Sequence, residues 1–140
     1  GLMTTGLAQD EILLEIRVPP QEPGWGFAEV ARRAGDFALA GVVALVGRAP
    51  GSPGRCESAR LVGFGVGDRP VRFAAAEEIL TNPGGDRSTA VARAASAAAE
   101  ACDPPADVHA SAEHRRHLAE VLTLEAVSQA LTRLERGSAS

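Results

Sequence analysis

The side chains able to do chemistry in this sequence are few: two cysteines, three histidines, one glycine-rich stretch and one arginine–aspartate cluster. His114 and His117 are spaced to share a helix face, as metal-binding histidines do. No cysteine or carboxylate spacing completes a metal site around them or His109, and Glu113-His114-Arg115-Arg116-His117 reads as the solvated start of a helix. Cys56 and Cys102 lie far apart without a C-x-x-C partner, so both read as structural thiols. Gly63-Phe64-Gly65-Val66-Gly67 lacks the G-x-G-x-x-G spacing and runs into Asp68-Arg69-Pro70 instead of a helix, which fits a strand end better than a phosphate loop. Arg32-Arg33 with Asp36 can form an interface clamp or a brace across a turn, and the brace is the simpler reading. A hydrolase or lyase built on His109, His114 or Cys102 would need a pocket in which they converge.

These residues must be positioned by strands first and helices second. Glu11 to Val18 puts Ile12, Leu14, Ile16 and Val18 on one face and ends at Pro19-Pro20, which predicts a half-buried strand. Trp25, Phe27 and Ala31 alternate with small or polar positions and predict a short edge strand through Arg33. Phe37 to Val46 is apolar enough to predict a strand buried on both faces. Gly47 to Arg55, dense in Gly and Pro, predicts an exposed hairpin connection to a further strand over Cys56–Val66, whose glycines at 63, 65 and 67 point to close backbone approach or a bulge.

After Pro70 the period changes. Ala74 to Leu80 predicts a short helix stopped by Asn82-Pro83-Gly84-Gly85, and Ser88 is the expected cap of an alanine-rich helix running to Ala101. Its stripe of Val91, Ala94, Ala95, Ala98 and Ala101 suits close packing. Asp103-Pro104-Pro105 breaks it, and Ser111 is the expected cap of a last helix carrying Leu118, Val121, Leu122, Leu124, Val127, Leu131 and Leu134. The order predicts an α+β domain, an antiparallel sheet with helices on one side.

Composition bounds the rest. One hundred and forty residues, 45% of them apolar, predict a single domain over 1–140. A net charge of -4 leaves no surplus to neutralise phosphates, so a nucleic-acid partner is not expected. The apolar run at 37–46 is about half of what a bilayer crossing requires, so no membrane span is expected. Two cysteines and no basic-then-apolar leader point to a reducing, cytoplasmic setting. With four Phe, one Trp and no Tyr, the core must be built from Ala, Val and Leu.

Taken together, several segments resemble a known family. Thr4-Thr5-Gly6-Leu7, the strand Asp10–Pro19, the block Phe27–Leu39 with its Arg32-Arg33-Ala34-Gly35-Asp36-Phe37 core, Gly63–Gly67 before Pro70-Val71-Arg72, and Asp107–Leu118 with Glu113-His114-Arg115-Arg116 occur in that order. They resemble the C-terminal domain of the FAD-binding medium subunit of molybdenum hydroxylases, the group that includes aerobic carbon monoxide dehydrogenase and xanthine dehydrogenase. The resemblance implies a small antiparallel sheet of three to four strands packed on a three-helix bundle. It also implies an oxidoreductase role, in which this domain covers an FAD held by preceding domains absent from these residues. Electrons would reach that FAD from the molybdenum cofactor of a large subunit through the iron–sulfur clusters of a small subunit. The whole medium subunit would be roughly twice as long, which makes this chain one piece of it, not catalytic alone. Two flavin contacts carry over: Leu13, from the first strand, and Glu29, at a place where many members carry a lysine. Arg32, Arg33 and Asp36 match motif letters and are assigned to holding the turn. The alternative is a free-standing protein-interaction domain that kept the fold without flavin.

Overall fold

The computed structural model describes residues 4–18, 24–48 and 56–136. Four strands, β1 (Gly24–Ala31), β2 (Ala38–Gly47), β3 (Ser58–Phe64) and β4 (Val71–Arg72), are followed by α1 (Ala74–Thr81), α2 (Arg87–Glu100) and α3 (Ala112–Arg136). The strands lie in the order β1-β2-β3-β4, every neighbouring pair antiparallel, which makes β1 an edge. The expected α+β arrangement of a small sheet and three helices is therefore present.

The phase of β1 decides how the layers meet. Gly24, Gly26 and Ala28 turn inward, and Trp25, Phe27 and Glu29 turn outward. A Cβ on Gly26 would fall 1.8 Å from the carbonyl oxygen of Ala126, so α3 lies almost on the β1 backbone. The helix makes this approach possible by presenting Ala119, Ala126 and Ala130, all fully buried. Small residues on both surfaces answer the shortage of aromatic side chains. Beneath the sheet, Phe73, Leu61, Val42, Val46, Val66 and Val127 are the largest fully buried apolar side chains. Each of them stabilises the fold by about 1.5–3 kcal/mol.

Helix ends follow local chemistry. Ser111 caps α3 as expected, its Oγ accepting the His114 N–H at 3.1 Å. The cap of α2 is Asp86, not Ser88. The Asp86 carboxylate accepts the Thr89 N–H at 3.0 Å and the hydroxyls of Ser88 and Thr89 at 2.5 and 2.6 Å. A negative group is favoured at a helix start over a neutral hydroxyl, and Ser88 serves it as a donor.

Other expectations change for reasons of packing. Residues 11–18 form no strand: every one is exposed and none pairs with the sheet. Phe37 is 95% exposed and lies before β2, and Val43 of β2 is 36% exposed, so the apolar run is not buried on both faces. Helices cover one face of the sheet only. Ala101 is exposed, and Val121 and Leu124 of α3 point away from the core that Ala119, Leu122, Ala126 and Val127 fill. The glycines of 63–67 do mark close approach: Gly65 has φ +72° with the Leu39 carbonyl 2.8 Å from where a Cβ would sit. Residues 49–55 of the expected hairpin connection lie outside the described residues.

Candidate functional site: the open face of the sheet

Antiparallel register sets side chains in rows on the face that no helix covers. One row runs Phe27, Val43, Val62, Arg72, a second runs Trp25, Leu45, Arg60, and a third runs Glu29, Gly41, Phe64. The Phe64 ring lies across Gly41 and stacks on Phe27 with ring centroids 5.9 Å apart and planes at 22°. Trp25 is 47% and Phe27 44% exposed, so this face is an apolar surface open to water. The Arg133 guanidinium sits 3.6 Å over the Trp25 ring, and its Nη1 donates to the Trp25 carbonyl at 2.6 Å. Gln129 Oε1 accepts the Phe27 N–H at 3.2 Å. Side chains of α3 therefore take up the Trp25 carbonyl and the Phe27 N–H of the free β1 edge.

The opposite rim is charged. Glu77 of α1 is buried and accepts the Leu61 N–H at 2.9 Å, while Arg72 bonds both of its oxygens, the closest at 2.6 Å. Arg60 lies 3.8 Å away. Burial pushes the Glu77 carboxyl up, but hydrogen bonds from Arg72 and the Leu61 amide, with the charges of Arg72 and Arg60, hold it below the usual carboxylate range. Glu77 thus closes β3 where the short β4 no longer pairs with it.

At the β1–β2 turn, Arg32 pairs with Asp36 at 3.1 Å, and Asp36 Oδ1 accepts the Phe37 N–H at 2.9 Å. The brace expected of this cluster is present, and it holds the exposed Phe37 ring at the end of the sheet. The base of the turn is pinned from below by Arg115 of α3, whose side chain is 8% exposed. Arg115 donates to the carbonyls of Leu39 and Gly65 and pairs with Asp107 at 2.7 Å. The Asp107 carboxyl is drawn below its ordinary value first by the N–H groups of His109 and Ala110, then by Arg115.

Of the residues read as candidates, Leu13 is 60% exposed on the N-terminal segment, and Glu29 is exposed on the open face. The histidines are not assembled: no group of three or more His, Cys, Asp or Glu that could hold a metal occurs among the described residues. Cys102 is buried, donates to the Ala98 carbonyl at 3.1 Å, and burial pushes its thiol up to about 11. Burial also raises the Cys56 thiol. A cavity of about 550 Å³ opens between Val46, Cys56, Leu80, Arg87, Val91 and Leu131, and none of the histidines nor Cys102 lines it. The apolar outer rows, Phe37 and Arg115 carried the weakest sequence signal, since alternation does not say which face the helices cover.

A flavin dinucleotide needs a phosphate cradle and a surface for its ring. The start of α2 holds the Asp86 carboxylate, kept well below its ordinary value by Ser88 and Thr89, and the start of α3 is filled by Ser111. Neither helix start is free to take phosphate. The described residues therefore offer an apolar wall, with the starts of α2 and α3 already occupied by their own caps.

The described residues thus form an α+β domain with one open, aromatic-bearing sheet face. The chain belongs to the family described as the CO dehydrogenase flavoprotein C-terminal domain, which matches residues 25–130. It is 36% identical to the caffeine dehydrogenase subunit beta of Pseudomonas sp. (strain CBB1) over 137 residues, covering 96% of this chain and 45% of that protein. It is 34% identical to the nicotine 6-hydroxylase medium subunit of Paenarthrobacter nicotinovorans, covering 93% of this chain and 44% of the relative. Among solved structures it is similar to carbon monoxide dehydrogenase from Hydrogenophaga pseudoflava, with a TM-score of 0.83, 30% identity, and coverage of 93% of this chain and 45% of that one. The chain thus spans less than half the length of these relatives. No helix among the described residues is long and apolar enough to cross a membrane.

Proposed function

We propose that this chain is the flavin-covering domain of the medium subunit of a molybdenum-hydroxylase-type oxidoreductase, acting in a cytoplasmic complex. The observation that carries it is the apolar face of Phe27, Val43 and Phe64, covered by no described helix, which a domain working alone would leave in water at a cost in solubility. FAD, when bound by the other half of such a subunit, would supply electron transfer between metal centres and an acceptor. This chain's part is to exclude water from one side and to fix the two halves against each other. Leu13 and Glu29 are the proposed flavin contacts, and the exposed Phe37 ring is a third group free to meet a flat cofactor. The partners proposed with it are the FAD-binding half, a molybdenum-containing large subunit and an iron–sulfur small subunit.

The test is flavin absorbance of the purified 140-residue chain, alone and mixed with the FAD-binding half of a related medium subunit. The chain alone is expected to be colourless, and the mixture to retain more flavin than the half by itself. A chain that neither associates nor alters the flavin spectrum would favour a free-standing interaction domain.

A further inference from the structure

Among the described residues Arg115 is the only buried cation. Its Nη1 donates to the carbonyls of Leu39 and Gly65, the second at 3.3 Å, and its Nη2 pairs with Asp107 of the α2–α3 loop at 2.7 Å. The β2–β3 ladder ends at Gly41 opposite Phe64, so Leu39 and Gly65 lie beyond it and are bridged by this side chain. Asp107 is fixed in turn, its Oδ1 accepting the N–H groups of His109 and Ala110 at 2.8 and 2.9 Å. The Arg115 Nε–H is buried and finds no acceptor among the described residues. A buried cation left partly unsatisfied is a poor way to stabilise a core, which an apolar side chain of similar volume would fill as well or better. What only a planar, forked cation supplies is a set geometry between two carbonyls and a carboxylate.

What stands on this geometry is Phe37. It precedes Leu39 by two residues and is 95% exposed, so no packing holds its ring and its place is set by the backbone beneath it. Asp36 takes the Phe37 N–H at 2.9 Å and pairs with Arg32, which stiffens the turn itself but does not seat it on the domain. The seat is the Leu39 carbonyl. Gly41 and Val43 alternate onto the open face, and Phe37 continues that alternation just outside β2. We infer that Arg115 is a positioning residue for the flavin contact: by fixing the start of β2 against Gly65 and Asp107, it sets how far the Phe37 ring stands above the open face. This rests on the function proposed above, which brings a flat cofactor to Phe37. A lysine at 115 keeps the charge but, as a single point donor, cannot hold both carbonyls and the carboxylate in that geometry.

Arg115→Lys tests this in two settings. In the 140-residue chain alone, amide hydrogen exchange at Asp36 and Phe37 should rise at least about tenfold, as local opening of the turn requires, while the buried Leu61 and Val127 keep their rates. Unchanged exchange at the turn, or equal acceleration at all four residues, would overturn the inference, the latter by showing a general support of the fold. The second setting grafts the chain in place of its matching part in the beta subunit of Pseudomonas sp. (strain CBB1) caffeine dehydrogenase and reads the flavin midpoint potential and visible absorption in the assembled complex, both of which respond to the groups around the ring. Phe37→Ala should shift both, Arg115→Lys should shift them in the same direction, and the double variant should match Phe37→Ala alone. An Arg115→Lys shift that persists in full without Phe37, or a Phe37→Ala complex whose flavin is unchanged, would sink the positioning role and leave the proposed function standing. A complex that assembles without flavin would sink the proposed function and this inference with it. Should Arg115→Lys fail to fold, Asp107→Asn keeps an acceptor for His109 and Ala110, weakens only the pair that aims the guanidinium, and carries the same expectations.

Discussion

Glu77 shows how one residue can hold a sheet closed. Its carboxylate accepts the Leu61 N–H at 2.9 Å and both arms of the Arg72 pair, so a buried donor and a half-exposed cation are satisfied by one group. The carboxyl is held below its ordinary value, which means the folded state binds its proton less tightly than the unfolded chain does. The stability it contributes is therefore complete above the unfolded carboxylate value and is lost as pH falls through the lower, folded one. Glu77→Gln keeps an acceptor for Leu61 but removes the charge. It is expected to cost about 2 kcal/mol at neutral pH, in the range of a hydrogen bond to a charged group, and less as pH drops below 4. Urea unfolding of both proteins across pH 3–7 checks this, and equal losses at both ends would show that the charge plays no part. Arg72 and Glu77 were invisible to sequence reasoning as a pair, because nothing local says that a glutamate in a short helix faces a strand behind it.

At the scale of elements, most of the fold from Gly24 onward was legible in the sequence. Period and punctuation placed β1, β2, β3 and all three helices near their observed bounds, and Ser111 was readable as a cap. The phase of β1 was not. Large and small residues alternate in Gly24–Phe27, and the pattern is the same whichever set faces in; the choice is made by α3, whose Ala126 lies about 100 positions further on in a contact no local rule reports. The leucine-spaced positions Val121 and Leu124 fall off the core for the same reason, since the buried line of α3 runs through Ala119, Leu122, Ala126, Val127, Ala130 and Leu134. Gly26→Ala tests this geometry. Its methyl would meet backbone, not a movable side chain, so α3 must shift, and a loss of about 3 kcal/mol is expected, at the upper end for an overpacked core. Denaturant unfolding should show the midpoint fall with the slope retained. A stable Gly26→Ala protein would mean that α3 is not seated on β1.

For the whole molecule the decisive asymmetry is between the two faces of one sheet. The inner face is closed by three helices with Val42, Ala44 and Leu61 fully buried, and the outer face carries Phe27, Val43 and Phe64 with no described helix over them. That asymmetry separates a domain's stability from its use. A substitution on the outer face should leave the first almost untouched and destroy the second. Val43 is the sharpest probe: it sits between Phe27 and Val62 in the central strand, 36% exposed, and its long-chain replacement can reach water. Val43→Lys is expected to change the stability of the chain alone by no more than about 0.5–1 kcal/mol, as exposed positions do. In the mixture with a FAD-binding half, the same lysine would have to bury its charge against an apolar neighbour, so association and the added flavin retention should fall by about tenfold or more. Thermal unfolding of the single chain and flavin absorbance of the mixture read the two effects separately. If Val43→Lys leaves flavin retention intact, the open face looks toward solvent in the complex, and the docking surface must be sought at the Phe37 turn and the segment before β1.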